Sequence, residues 1–236
     1  MKFSERKQMT FQQKTYAFCQ KYKHSLLLLY LLLYLPWFTY LEKTVTKHFH
    51  VIHMPIDDKI PFIEYFIVPY LLWFAYVAAA VLYFLLKNKY AFYKLCAFLF
   101  VGMTVFLVIS TVYPNGHYLR PSVFERDNIF VDLVKGLYLA DTPTNLFPSI
   151  HVYNSIGVNI AIWRCQDFKK KKFIRYGSAI LMISIVLSTM FLKQHSVFDV
   201  ITGIVFSAFM YTVVYTRDIL NAGKTEPSLE EQAWRI

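Results

Sequence analysis

Apolar residues occur in long runs broken by short polar and basic segments. Six runs stand out, at residues 25–41, 62–86, 95–112, 147–163, 176–192 and 197–215. Each approaches the ~20 apolar residues with which a helix crosses a bilayer. The pattern predicts an all-α, polytopic membrane protein: a six-helix bundle over 25–216, a terminal segment at 1–24 and a tail at 217–236. The first run carries Pro36 and Trp37 near its end and is followed by Glu42 rather than by small residues suited to cleavage, so it is expected to remain as an anchor. The fourth run is the least apolar, carrying Ser149, His151, Asn154, Ser155 and Asn159. Polar groups within a span are costly and face the bundle interior, which marks these residues as functional candidates. The long connection at 112–146 has turn residues Pro114, Asn115 and Gly116, and its stretch 129–139 is apolar enough for a short amphipathic helix lying at an interface. The tail from 221 onward is polar and expected to be poorly ordered. No internal repeat is visible.

Composition supports the same class. Hydrophobic residues make up 56% of the 236-residue chain and charged ones 17%, with 7 Gly, unlike an ordinary soluble domain. The net charge of +10 does not indicate a nucleic-acid partner, because the basic residues sit between the runs. They cluster before the first run (Lys2 to Lys23), between the second and third (Lys87, Lys89, Lys94), between the fourth and fifth (Arg164, Lys169 to Lys172, Arg175) and in the tail (Arg217, Lys224, Arg235). With six spans these segments share one side, and the positive-inside rule makes it the cytosol, so both termini are cytosolic. Arg120, His151 and His195 then lie on the non-cytosolic side of the cell membrane. Lys169 to Lys172 serve as a topology signal or as an anchor for anionic headgroups. Tyr and Trp residues near run ends read as interfacial belts. Cys19, Cys96 and Cys165 form neither a disulfide framework nor a metal-ligand spacing.

The candidate chemistry lies in three polar stretches. His195 and Asp199 are four residues apart at the start of the sixth run; on a helix they would share a face, and the carboxylate would fix the imidazole tautomer and free the other nitrogen as nucleophile or base. Pro148, Ser149, Ile150 and His151 open the fourth run. Proline suits a first helical turn, and a helix start with a serine hydroxyl can hold phosphate oxygens, with His151 placed to protonate a leaving oxygen. Arg120–Pro121 offers a guanidinium fork on a stiffened turn, and Lys193 brings a further charge. Taken singly, each has an ordinary explanation as membrane-edge histidine, helix cap or headgroup anchor. His48, His50 and His53 have a spacing open to metal binding or to an ordinary wet loop, and Glu64 can pair with a site cation or simply reach the interface.

In combination the stretches resemble the type 2 phosphatidic acid phosphatase (PAP2) superfamily, whose pattern is Lys-x6-Arg-Pro, Pro-Ser-Gly-His and Ser-Arg-x5-His-x3-Asp. The matching positions are Arg120, Pro121, Pro148, Ser149, His151, Ser188, His195 and Asp199. Tyr113 stands in place of the Lys, Ile150 of the Gly and Thr189 of the Arg. The resemblance implies a metal-independent, cofactor-free lipid phosphatase. Its substrate would be a lipid phosphate or diphosphate, such as phosphatidic acid, phosphatidylglycerol phosphate or undecaprenyl diphosphate. By the same resemblance His195 attacks phosphorus to give a phosphohistidine, Asp199 orients it, and His151 protonates the leaving alcohol and then activates water. Arg120, Ser149, Lys193 and the backbone at Ile150 would hold the phosphate oxygens. The rival readings are a headgroup phosphotransferase of the sphingolipid-synthase kind, which the missing cations favour, and a non-catalytic membrane scaffold or transporter.

Overall fold

The computed structural model describes residues 20–221 together with residue 12, so most of the N-terminal segment, Cys19 and the tail beyond 221 lie outside the described residues. Within them the chain is mostly helical. A 3-10 stretch at Lys23–Tyr30 leads into α1 (Leu31–Thr44), followed by α2 (Ile67–Lys87), α3 (Lys89–Val112), α4 (Ile129–Ala140), α5 (Ile150–Arg164), α6 (Lys172–Phe191) and α7 (Val197–Asn221). The only strands among the described residues are β1 (His50–Val51) and β2 (Asn115–Gly116), which pair in parallel.

Among the described residues, five helical stretches are long and apolar enough to cross a membrane: Lys23–Thr44, Glu64–Lys87, Lys89–Val112, Lys172–Phe191 and Val197–Thr216. The fourth expected span differs from these. It forms α5, whose 15 residues extend only about 22 Å at 1.5 Å per residue, against ~30 Å of hydrocarbon. The reason is position. α5 packs against α2, α3, α6 and α7, so its polar side chains meet protein; Asn154, Ser155, Tyr153 and Val158 are all buried. The outer helices instead show apolar side chains to their surroundings, among them Leu32, Leu33, Phe74, Phe209 and Val213. Such a surface suits lipid, since soluble monomers rarely expose wide apolar patches.

Charge misplaced three run boundaries, the start of α6 at Lys172 rather than 176 among them. α3 begins at Lys89 rather than at 95 because its lysines lie over aromatic rings, Lys94 above Tyr90 and Tyr215. Asn88 caps this helix by accepting from the Ala91 amide at 2.9 Å and is the single residue between α2 and α3. α7 continues to Asn221, past the expected end at 215. The stretch 129–139 does form a helix, α4, capped by Asn128 Oδ1 on the Phe130 and Val131 amides, both at 3.0 Å. It buries Val131 and Val134 and leaves Ile129 and Leu139 exposed.

Aromatic stacking locks the bundle centre. Tyr153 of α5 lies between Phe98 and Phe206, stacked at centroid distances of 4.7 and 4.9 Å, and its hydroxyl donates to the Phe98 carbonyl at 2.7 Å. Gly102 makes room for that ring, since a Cβ there would stand 1.9 Å from Tyr153 Cε1. Held on both faces and at its hydroxyl, the ring has nowhere to move. Gly102→Ala is therefore expected to destabilise the bundle by about 1–3 kcal/mol, read as a lower melting temperature in detergent; an unchanged melting temperature would show that the Tyr153 sandwich yields.

Candidate functional site

The ends of α1, α3 and α6 meet the starts of α2, α5 and α7 at one end of the bundle, where the connecting loops tie them together. Asn115 holds the segment entering α5: its Oδ1 accepts from the Leu146 and Phe147 amides at 2.8 and 3.0 Å, and its Nδ2 donates to the Tyr113 carbonyl at 2.9 Å. Glu42 of α1 accepts from the Thr142 amide and hydroxyl and from Asn145 Nδ2. Asn145 itself has φ +55°, a left-handed conformation that Asn tolerates better than most residues. The chain then turns into α5 with Ser149 as N-cap. Pro148 is thus not in the first turn of that helix, as expected from the sequence, but precedes its cap. Ile150 opens the helix with its side chain in the hydrophobic core, leaving its N–H among the donors that a helix start cannot pair internally.

The two helix starts are joined where the histidines lie. The Ser149 amide donates to the Asp199 carbonyl at 3.3 Å, and Gly203 allows this approach, since a Cβ there would meet the Ser149 carbonyl at 3.1 Å. His195 is not on a helix: it lies in the turn before α7, so the expected shared helical face is absent. The turn nevertheless brings His195 Nδ1 within 3.5 Å of Asp199 Oδ2, while His195 Nε2 stands 3.4 Å from His151 Nδ1. At that distance His195 Nδ1 makes no hydrogen bond; a neutral ring protonated on Nδ1 would carry its lone pair on Nε2, toward His151. His151 is flanked by Tyr70 and Trp73 of α2, at ring-centroid distances of 4.7 and 4.4 Å. A phosphorus atom ~3 Å from the nucleophile does not fit between nitrogens 3.4 Å apart, so substrate must part the two rings.

The expected phosphate ligands divide. Arg120 reaches the site but is heavily used: Nη1 donates to the Tyr138 and Asp141 carbonyls, and Nη2 to the Thr142 carbonyl and to Gln194 Oε1 at 2.5 Å. The guanidinium also lies over the Tyr138 ring. Lys193 departs from its expected role, because its buried ammonium donates to the Asp57 carbonyl at 2.7 Å. Ser149 Oγ accepts from the Val152 amide at 3.4 Å. Tyr113 stacks on His50 at 4.1 Å, and Thr189 Oγ1 folds back onto the Val186 carbonyl, so neither replaces the missing cation. Glu64 pairs with Arg126 and Asn128 rather than with a site cation. His53 bonds to Asp58, and no metal-holding group of three or more His, Cys, Asp or Glu occurs among the described residues. Beside the site, a cavity of about 320 Å³ is lined by Phe62, Glu64, Pro121, Phe124 and Arg126.

Sequence reading missed Asp57, His117 and Gln194. Asp57, in the first loop, is buried and accepts from the Met54 amide, the Ser196 hydroxyl and the Val197 amide at 2.8, 2.6 and 2.8 Å. It caps α7 from a residue about 140 positions away, a contact with no local signal. His117, fully buried, donates from Nε2 to the Gln194 carbonyl at 3.0 Å and accepts at Nδ1 from the Leu119 amide, so it is the neutral Nε2–H tautomer. Burial pushes it down to about 4. Burial and the Arg120 charge take His195 down to about 3, keeping its nucleophilic lone pair free of protons. Asp141 moves the other way, raised to about 6 by burial and the Glu42 charge.

Residues 119–219 match the model of the PAP2 superfamily. The chain thus carries a PAP2 superfamily segment, which takes in Arg120, Ser149, His151, Thr189, His195 and Asp199, and the match supports phosphoryl transfer at a membrane as the kind of chemistry. No curated protein and no solved structure matches the chain.

Two outcomes follow from this geometry. Asp57→Ala strands one buried and two partly buried donors, and is expected to lower stability by about 2–4 kcal/mol and to impair the site, with Asp57→Asn milder because it keeps an acceptor; equal melting temperatures for Asp57→Ala and wild type would refute the cap. The second concerns pH. His117 has a folded value below its unfolded one, so its contribution is complete above about 6.5 and is lost as pH falls toward 4. Asp141 opposes it, contributing below about 4 and losing that contribution as pH rises through 6. His117→Gln should therefore show a flatter fall in melting temperature between pH 7 and 4.5 than wild type; parallel curves would show that His117 does not titrate as described.

Proposed function

We propose, with PAP2 superfamily membership as the premise, that this protein is an integral-membrane lipid phosphatase releasing phosphate from a lipid phosphate or diphosphate through a phosphohistidine. The observation that carries the reading is the Asp199–His195–His151 line, with contacts of 3.5 and 3.4 Å. A carboxylate orients one imidazole, whose free nitrogen faces a second imidazole across the place where phosphorus would enter. His195 Nε2 attacks phosphorus in line as the bond to the lipid oxygen breaks, and His151, entering this step as the imidazolium, gives that oxygen its proton. Neutral again as an acid's conjugate base, His151 takes a proton from water, which attacks the phosphohistidine and frees phosphate and His195. Asp199 keeps its proton-accepting face toward Nδ1 throughout, stabilising the positive charge that develops on the ring. Electrostatic support comes from Arg120 and the helix start at Ile150.

In this reading α5 is the fourth of six segments of the membrane bundle and its central one. The distribution of basic residues supports cytosolic termini and a site on the non-cytosolic side. The lipid class follows the family resemblance: phosphatidic acid, phosphatidylglycerol phosphate or undecaprenyl diphosphate. One observation favours a second reading, headgroup transfer to an alcohol: Tyr113 and Thr189 supply no cation, and Lys193 is held by Asp57. Transfer differs only in the acceptor that attacks the phosphohistidine.

The test is a panel of ³²P-labelled lipid phosphates in detergent, with and without chelator. Wild type is expected to release phosphate in both conditions and to yield an acid-labile phosphoenzyme after rapid quench. His195→Ala should abolish both signals and His151→Ala should lower turnover by at least ~10²-fold, each with an unchanged elution profile. Label appearing on an added alcohol rather than as free phosphate would select transfer, and full activity of His195→Ala would remove the mechanism.

A further inference from the structure

Gln194, immediately before the candidate nucleophile, is 1% exposed. The orientation of its side-chain amide is settled by chemistry. Arg120 Nη2 carries only protons, so the atom 2.5 Å from it must be the carbonyl oxygen Oε1. The NH₂ group is thereby turned to the other side, where Nε2 is buried and has no hydrogen-bond partner. Arg120 Nε is a second buried donor without a partner, although both Nη atoms of the same guanidinium are engaged. Leaving such donors unmet is unfavourable, and native proteins keep few of them.

The backbone around Gln194 is rigidly held. Its amide and that of His195 both donate to the Thr189 carbonyl, at 2.9 and 3.0 Å, and its own carbonyl accepts from buried His117. The side chain is therefore presented by a fixed turn, next to His195 and hydrogen-bonded to the one arginine of the site. At the positions where a cation is missing, Tyr113 stacks on His50 and Thr189 Oγ1 donates to the Val186 carbonyl. Two orphaned donors on two residues joined by a hydrogen bond call for an acceptor with several oxygens.

We propose that the Gln194 amide and Arg120 Nε–H bind the non-bridging oxygens of the phosphoryl group, Gln194 serving as a neutral donor where a second cation is missing. This rests on the phosphoryl-transfer reading above and assigns a substrate-contacting residue to it. It also carries a consequence for charge: a site with one guanidinium and one amide offers less positive charge than a site with several cations, so donor geometry carries more of the binding.

The test measures binding of orthovanadate, a tetrahedral phosphate analogue that becomes five-coordinate on accepting a nucleophile, to the full chain in detergent by calorimetry, alongside lipid phosphate turnover. Gln194→Glu keeps the acceptor for Arg120 but replaces the donor with negative charge. Gln194→Met removes donor and acceptor without adding charge. Loss of the donor is the one change the two share. Both variants are expected to weaken orthovanadate binding and lower kcat/KM by on the order of 10²-fold, with Arg120 still held in Gln194→Glu and its melting temperature at or above that of wild type. Should Gln194→Glu fail to fold, the Met variant carries the comparison. Binding and turnover within threefold of wild type in the Met variant would overturn the assignment while leaving the phosphatase reading intact. A wild-type protein that neither binds orthovanadate nor turns over any lipid phosphate would overturn both.

Discussion

The buried carboxylate of Asp57 accepts from the Ser196 hydroxyl and the Val197 amide, and its backbone carbonyl takes the Lys193 ammonium. One residue of the first loop thus holds both sides of the turn that carries Gln194 and His195. A helix start leaves its first amides without internal partners, and inside an apolar bundle no bulk water is there to meet them. Capping by a carboxylate answers that need and at the same time fixes where α7 begins, which sets the distance between His195 and Asp199. The position of the candidate nucleophile is therefore a consequence of satisfying backbone donors.

The second half of the site is positioned from elsewhere. Asn115 and Glu42 anchor the segment before α5, and α5 itself is locked by Tyr153 between two phenyl rings. The bond from the Ser149 amide to the Asp199 carbonyl joins the two halves, with Gly203 permitting the close approach. Both histidines are thus mounted on rigid supports, as differential stabilisation of a transition state requires. Opening the 3.4 Å contact between them is the movement that admission of a phosphorus atom demands.

Electrostatically the site is sparing. The Arg120 guanidinium is shared among three backbone carbonyls and one amide. These contacts stiffen the guanidinium, and Lys193, which looked available from its place in the chain, is directed to Asp57. What remains for an anion is a set of oriented donors: the α5 start, Arg120 Nε and Gln194 Nε2. In a site closed off from water, oriented donors act at lower dielectric and gain strength.

The helical class and most of the helices were legible from runs of apolar residues, because a membrane-facing helix must be apolar over its whole length. The candidate chemistry was legible from short motifs, since Arg120–Pro121, Ser149-x-His151 and His195-x3-Asp199 each keep their partners within a few residues. The exception among the helices is instructive: α5 is short and polar because protein, not lipid, surrounds it, and hydropathy by itself does not distinguish the two. Only the tertiary structure could decide that His195 meets Asp199 from a turn rather than along a helix face. It alone could direct Lys193 to Asp57 and aim Gln194 by way of Arg120. Those outcomes depend on hydrogen bonds between residues as many as 140 positions apart, and a donor's choice among distant acceptors is made by packing, which leaves no periodic trace in the chain.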